Sequence, residues 1–321
     1  MTNPAELLLR ARRYSTNLLP LEESNNYSQV DEHSGLINSA NAATLGGYDV
    51  WGTYHDAPSS ENIIRVAKVT HAQGYLHEGL ATEAAVTRAG FLRAEVDKWT
   101  KTPAQIYVAK NPDDALDTAT LRIGIGELEM LPTMPLMLGA GALHPEAVEK
   151  LRSLPEGSVS ELGAFAKSRI AHEQKRSRGV ATIIRSVFQD TLGQGRTLYC
   201  SMVAESHEKY AEVLGPDNLT PIGSPVLLEA NEFRKATVLV PLTMSPEAFA
   251  PNLLNGIKSA SDMRVRNRLV GSLVFFTEGM EASDLLPHMP EQAVAEICMV
   301  RQMAAAYLAT KQSASKEPVP A

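Results

Sequence analysis

The sequence predicts an α/β protein in which helices flank a central mixed β-sheet. Two observations carry this prediction: short apolar segments typical of buried strands alternate with amphipathic segments of helical period, and glycine or proline residues separate them. With 44% hydrophobic residues in 321, the chain can bury a substantial core, and its charged fraction of 21% is that of an ordinary globular protein.

The predicted elements begin near residue 60. Between 60 and 98 the apolar residues suit helices, and we expect Gly74 and Gly90 to interrupt them. A turn at 111–114 should join two strands into a hairpin. The predicted strands are 105–110, 119–125, 158–166, 198–204 and two within 225–242, and the predicted helices are 183–192, 207–214 and several within 251–311.

The chain is expected to have four parts. Residues 1–60 show no long apolar period, which predicts an irregular or partly helical extension. Residues 61–245 should form the α/β domain and residues 246–311 a helical C-terminal region. Residues 312–321 have the composition of a disordered tail.

Composition excludes several classes of protein. A net charge of −7 argues against a broad nucleic-acid surface. The two cysteines, Cys200 and Cys298, fit neither a disulfide framework nor a structural zinc site, and the eight histidines show no metal-ligand spacing. We therefore predict no metal.

No targeting or membrane segment is expected. Residues 1–15 lack the apolar core of a signal peptide, and the most apolar run, 130–143, is too short to span a membrane and contains two prolines. The expectation is a cytoplasmic protein.

A basic segment with a glycine separates the strand predicted at 158–166 from the helix that follows. Exposed N–H groups and the positive dipole end of a helix start bind phosphate, and glycine allows a ligand to approach the backbone. The alternative is a solvated basic loop capped by a glycine. The candidate anion-binding residues are Arg176, Arg178, Gly179, Val180 and Ala181.

Glu161 is a carboxylate within an apolar central strand. Burying it is costly unless it pairs or takes part in chemistry. It could act as a general base, directly or through a water, towards an amine that must lose a proton before it attacks a carbonyl. The alternative is a structural pair with Arg122 or another cation.

The segment Arg176-Ser177-Arg178-Gly179-Val180-Ala181 resembles the Q/R-x-x-G-x-G/A turn of the N-acetyltransferase superfamily, which binds the donor's pyrophosphate. The resemblance implies the N-acetyltransferase-like fold, with N- and C-terminal extensions here. It also implies that Tyr210, in the helix after the next strand, is the general acid towards the departing thiolate. The alternative for Tyr210 is a half-buried aromatic on an amphipathic helix.

Two further segments resemble acyl-homoserine-lactone (autoinducer) synthases, which share this fold. They are Leu131-Pro132-Thr133-Met134-Pro135-Leu136-Met137-Leu138 and Ser160-Glu161-Leu162-Gly163-Ala164-Phe165-Ala166, and Ile222-Gly223-Ser224-Pro225 looks like a third family segment. The chain departs from the family at Glu129 and Ala164, where the family has arginines. The resemblance implies that Glu161 is the base and that Phe165 lies at the substrate, and Arg122 could replace one family arginine through a shifted register. Met137 could line an acyl-chain pocket, because methionine adapts to irregular shapes, and the alternative is that it fills the core.

The predicted function is acyl transfer to nitrogen. The donor would be acyl-CoA or an acylated carrier protein, with no permanently bound cofactor, and the oxyanion of the intermediate would lie on N–H groups of a splayed strand at 165–167. S-adenosylmethionine, as in autoinducer synthesis for quorum sensing, or an amino acid would be the acceptor. Two alternatives are a non-catalytic protein of this fold that binds a ligand or partner, and a transferase that draws its acyl group from aminoacyl-tRNA through the basic segment 167–178.

Overall fold

A mixed sheet forms the centre of the protein. The computed structural model describes residues 48–54, 60–88, 90–93, 103–174 and 178–314. Within these, the sheet has eight strands. They are β1 (Asp49–Tyr54), β2 (Ala104–Asn111), β3 (Asp114–Ile125), β4 (Val159–Lys167), β5 (Thr197–Val203), β6 (Thr220–Pro221), β7 (Val226–Leu228) and β8 (Thr237–Met244).

The strand order is β1-β2-β3-β4-β5-β8-β6, and β7 also pairs with β8. Strands β4 and β5 run parallel, whereas the other described neighbours run antiparallel. The predicted hairpin is confirmed as β2 and β3, joined at Pro112 and Asp113. A mixed sheet between helices is the predicted fold class.

The helices flank this sheet, and several are ended by the expected glycines. Gly193 and Gly215 follow two of them with positive φ, a conformation that glycine adopts without strain. The helices are α1 (Ser60–Glu78), α2 (Met134–Gly139), α3 (Pro145–Ser153), α4 (Arg169–Glu173), α5 (Arg178–Thr191), α6 (Ala204–Leu214), α7 (Pro246–Ser259), α8 (Met263–Phe276), α9 (Ala282–Leu285) and α10 (Glu291–Ala314).

Each face of the sheet has its own apolar cover. On one face, α5 and the C-terminal helices pack against β3 and β5, with Ile183, Val187 and Leu273 buried in the largest core cluster. On the other face, α1 packs against β2 through residues that include Ile63 and Ala67. A third cluster joins Val159 of β4 and Tyr199 of β5 to Met134 and Met137 of α2. The helical C-terminal region is thus part of the main core.

Two sequence expectations differ from the structure. Residues 49–54, expected to be irregular or partly helical, form edge strand β1, a short segment with too few residues to show a period. Gly74 does not interrupt a helix but lies inside α1, where an added Cβ would be 2.8 Å from the Cβ of Ala166. This glycine is required by close packing, and α1 ends instead at Gly79, whose φ is +70°.

The ends of the chain are described only in part. Helix α10 continues through Ala314, so residues 312–314 of the expected disordered tail are helical. The expectations for residues 1–47, 94–102 and 315–321 lie outside the described residues. Among the helices that the structure describes, none combines the length and apolarity that crossing a membrane requires.

Candidate active site

Strands β4 and β5 separate part-way along their length. Their parallel pairing covers only Val159–Glu161 against Thr197–Tyr199, although both strands continue. At the same place the β3–β4 register shifts, and Ala164 has a φ of +50°. An extra residue of this kind is a β-bulge, which bends its strand. The bend opens the sheet at Leu162, three residues before the position at which we expected a splay.

This opening lies in a mixed sheet, between its parallel pair, and agrees with the N-acetyltransferase-like fold that the sequence resemblance implies. The β4 edge that faces β5 has no described strand partner beyond Glu161. Residues of this edge line a cleft that a ligand can enter.

A cleft of about 190 Å³ passes through the opening. Its buried wall is apolar, whereas its polar side chains lie on α1, β4, β5 and α6. The apolar lining includes Leu121, Leu162, Phe165, Val180, Ile184, Met202, Leu214 and Met244, and the polar lining includes Glu78, Lys167, Ser201, Ser206 and Tyr210. An apolar pocket with a few polar groups is the usual form of a small-molecule site.

Of the site residues predicted from the sequence, the structure brings Phe165, Val180 and Tyr210 together in this cleft. The rings of Phe165 and Tyr210 are in edge-to-face contact, with centroids 5.4 Å apart. Burial, and then the nearby charge of Glu78, raise the pKa of Tyr210 above its ordinary value. Its hydroxyl therefore keeps its proton at neutral pH.

Glu161 lies beside the cleft and does not line it. Only 2% of Glu161 is exposed, and its two carboxylate oxygens accept the backbone N–H of Thr133 at 2.8 and 3.1 Å. The Thr133 hydroxyl is 2.7 Å from that of Ser201, which is 2.6 Å from the Tyr199 hydroxyl. Burial raises the pKa of Tyr199 to about 12, and the charge of Glu161 adds to this shift. Glu161 thus begins a buried polar network.

Arg122 is also buried, at 4% exposure, and lies outside the cleft lining. In the β3–β4 register Arg122 is opposite Gly163, and Gly124 is opposite Glu161. Because residues two apart on a strand share a face, Arg122 and Glu161 are diagonal neighbours on one face of the sheet. This placement favours the structural alternative for Arg122 over contact with substrate.

Met137 is not part of the cleft. It is fully buried with Leu131 and Met134 in the core cluster beside α2. Methionine adapts to irregular cores. This placement favours the packing alternative for Met137 over contact with substrate.

The proposed phosphate turn is described from Arg178 onward, and Arg176 lies outside the described residues. Arg178 is exposed at the start of α5, and Ala181 is half-buried outside the cleft lining. Gly179 is buried, and an added Cβ would be 2.9 Å from the Tyr48 ring and 3.3 Å from the Cβ of Ala119. Packing of α5 on the sheet accounts for this glycine without any ligand.

Sequence reasoning missed a group of titratable side chains at the polar side of the cleft. Glu78 Oε1 is 3.6 Å from His172 Nε2, and the His172 ring stacks on His77 with centroids 4.4 Å apart. Burial lowers the pKa of His172 to about 4, with Lys167 and His77 adding to this shift. Burial also raises the pKa of Glu78, against the opposing effects of Lys167, His77 and Lys209. No local motif joins these residues, because α1, β4 and α4 meet only in the folded chain.

The described residues contain no cluster of three His, Cys, Asp or Glu side chains placed to hold a metal ion. Cys200 lines the cleft, where burial raises the pKa of its thiol to about 12, with Glu161 adding to the shift. A thiol with such a pKa is not a nucleophile at neutral pH.

Comparisons with known proteins give similarities of structure. No family model matches the sequence, and no curated protein matches it. FeeM, an N-acyl amino acid synthase from uncultured soil microbes, is similar over 63% of this chain and 93% of its own, with 14% identity and a TM-score of 0.43. The AHL synthase LasI is similar over 61% of this chain and 90% of its own, with 12% identity and a TM-score of 0.40. A probable acetyltransferase from Chromobacterium violaceum ATCC 12472 is similar over 61% and 87%, with 14% identity and a TM-score of 0.35.

Proposed function

We propose that this protein is an N-acyltransferase that moves an acyl group from a phosphopantetheine thioester to the amine of a small acceptor. The observation that carries the proposal is the cleft between β4 and β5, which joins an apolar wall to polar side chains across an open strand edge. Such a cleft suits a thioester whose acyl chain is apolar and whose carbonyl must be polarised.

The donor would bind along the length of this cleft. Its acyl chain would contact Leu162, Val180 and Met202, and its carbonyl oxygen would accept hydrogen bonds from the open edge of β4. The exposed Arg178 and the N-terminus of α5 would attract the phosphate groups of acyl-CoA or of an acyl carrier protein. No permanently bound cofactor is needed for this chemistry.

The reaction requires two protons to leave the acceptor nitrogen. The ammonium group loses one before attack, the nitrogen then forms a bond with the thioester carbon, and the C–S bond breaks as the tetrahedral intermediate collapses. Tyr210 would protonate the thiolate and recover a proton from the nitrogen, because its raised pKa keeps it protonated until the thiolate forms.

Two carboxylates could accept the first proton. Glu161 could do so only through an intervening water, because its oxygens accept the N–H of Thr133 and do not line the cleft. Glu78 lines the cleft directly.

The acceptor would be S-adenosylmethionine or a free amino acid. A homoserine-lactone signal for quorum sensing would require S-adenosylmethionine, whereas an amino acid would give an N-acyl amino acid. A cytoplasmic location would supply both acceptors and both donors.

The test is incubation of the purified protein with acyl-CoAs and acylated carrier proteins of several chain lengths, each with and without an acceptor. Free thiol and product mass are measured together. Acceptor-dependent thiol release with an N-acyl product would establish the transferase and identify its acceptor. Thioester binding without turnover across this panel would instead favour the non-catalytic alternative.

The donor assignment has its own test. Arg178→Ala should raise the dissociation constant for CoA roughly tenfold if a phosphate is lost as partner. Arg152→Ala is the matched control, because Arg152 is an exposed arginine outside the cleft that pairs with Glu129. Equal CoA affinity in both variants would count against a phosphate site at α5.

A further inference from the structure

The polar side of the cleft holds a carboxylate whose position is not explained by the stability of the fold. Glu78 is the last residue of α1, where the negative end of the helix dipole disfavours a carboxylate. Its side chain is 48% exposed and lines the cleft, and its near neighbour His172 is only 9% exposed. A carboxylate that reaches both the cleft and solvent can exchange protons with each.

Several charged or titratable groups surround Glu78. Lys167 from β4 and Lys209 from α6 act on it electrostatically, as does His77 from α1 itself. His172 from α4 approaches its carboxylate, and Tyr210 from α6 is within range of its charge. The charges of Lys167 and Lys209 oppose the effect of burial on the Glu78 pKa, while the His172 pKa of about 4 leaves that ring neutral at physiological pH. The Glu78 carboxylate thus lies within electrostatic range of lysines on two neighbouring elements.

We infer that Glu78 is the base that removes the first proton from the acceptor's ammonium group. This inference rests on the proposed N-acyltransferase function. The ammonium group transfers a proton to the Glu78 carboxylate, which passes it to solvent, and the free amine attacks the thioester carbon. The C–S bond then breaks, the leaving thiolate takes a proton from Tyr210, Tyr210 recovers the second proton from the nitrogen, and the amide product forms.

Lys167 of β4 assists this step. It lines the same cleft, and a positive charge beside a bound ammonium lowers the pKa of that amine. Burial already lowers the pKa of Lys167, against the opposing effects of Glu78 and Asp117. A carboxylate and a cation on one cleft thus favour deprotonation of the amine together.

The test compares Glu78→Gln with the wild type on acceptor-dependent thiol release. We expect kcat to fall about 100-fold or more, because a general base contributes 10²–10⁴-fold, while CoA affinity changes less than about twofold. The wild-type kcat/KM should level off above the pKa of Glu78. For Glu78→Gln, kcat/KM should keep rising with the fraction of acceptor present as free amine. Glu78→Asp should recover part of the lost kcat.

Glu83→Gln is the matched control, because Glu83 is an exposed glutamate close in sequence that does not line the cleft. It should behave as the wild type. If the wild type turns over and Glu78→Gln has the same kcat and the same pH profile, this inference is overturned while the proposed function stands. Loss of the plateau in Lys167→Met but not in Glu78→Gln would also overturn it, since the base would then be Lys167. A wild type without acceptor-dependent thiol release would overturn the proposed function, and this inference with it.

Discussion

Helix α1 crosses strand β4 so closely at Gly74 that an added Cβ would lie 2.8 Å from the Cβ of Ala166 and 2.8 Å from the carbonyl oxygen of Lys167. Real Cβ atoms do not approach other atoms this closely. The contact lies on the bulged part of β4, and Tyr75 and Glu78, which follow Gly74 in α1, line the cleft. Close packing of α1 on β4 therefore positions one polar wall of the site.

Gly74→Ala should destabilise the fold by about 1–3 kcal/mol, because overpacking outweighs the gain in helix propensity. Gly271→Ala is the matched control: Gly271 also lies inside a helix, but no heavy atom would be within 4 Å of its Cβ, so stability should rise by about 0.5–1 kcal/mol. Urea unfolding measures both. Equal gains in the two variants would contradict the close packing at Gly74.

Tyr210→Phe should lower kcat by about 100-fold and leave CoA affinity and unfolding free energy almost unchanged. Phenylalanine keeps the edge-to-face contact with Phe165 but cannot donate a proton to the thiolate. Tyr54→Phe, at the far edge of the sheet on β1, is the control. The prediction is tested by steady-state kinetics, and a Tyr210→Phe enzyme with wild-type kcat would exclude the tyrosine as the acid.

The sequence predicted the layout of the fold because that layout depends on local patterns. Apolar segments marked β2, β3, β4 and β5, and a helical period marked α5. The strand-loop-helix order then placed Val180 and, one helix later, Tyr210 on the cleft. These are consequences of residue order, which a sequence contains.

The missing parts of the site depend on contacts between distant segments. Strand period places Glu161 on a face of the sheet but does not show that Thr133 covers that face. The meeting of Glu78 with His172 depends on the approach of α1 to β4, which Gly74 permits. The sequence predicted a helix end at Gly74, because glycine is common at helix ends as well as at close contacts between elements.

Glu161→Gln should cost about 1–3 kcal/mol of stability, since one partner of the buried Thr133 contact loses its charge and one of its accepting oxygens. Glu129→Gln is the control: its ion pair with Arg152 is more than half exposed on both sides, so the change should be below about 0.5 kcal/mol. Chemical unfolding measures the stabilities. In kinetics, kcat should fall less in Glu161→Gln than in Glu78→Gln, and the reverse order would assign the base to Glu161.

Asp190 makes stability depend on pH. Burial raises its pKa from 3.8 to about 6, although the hydroxyl of Tyr107 donates to it at 3.2 Å. The folded protein therefore binds this proton more tightly than the unfolded chain. The resulting loss in the free energy of unfolding is absent below pH 3.8 and complete above about pH 6. The Asp190 contribution should thus become less favourable as the pH rises through this window.

Asp190→Asn removes the charge but keeps an oxygen that can accept from Tyr107. At pH 7 the variant should be more stable than the wild type by about 1–2 kcal/mol, and at pH 4 the two should be nearly equal. Urea unfolding at both values measures the difference. An advantage of the same size at both values would show that the Asp190 carboxylate does not carry the effect.

The buried ion pair between Arg185 and Glu278 should anchor the C-terminal helices to α5. Its atoms are 2.5 Å apart, the side chain of Arg185 is 3% exposed and that of Glu278 is 25% exposed, and the guanidinium also lies 4.9 Å from the centroid of Phe275. Arg185→Ala should cost about 2–4 kcal/mol, because Glu278 loses its partner while partly buried. Arg152→Ala, at an exposed pair, should cost under about 1 kcal/mol.

The C-terminal helices share the main core with α5, so the helices and α5 should unfold in one transition. A separate early transition in Arg185→Ala would show instead that these helices fold independently.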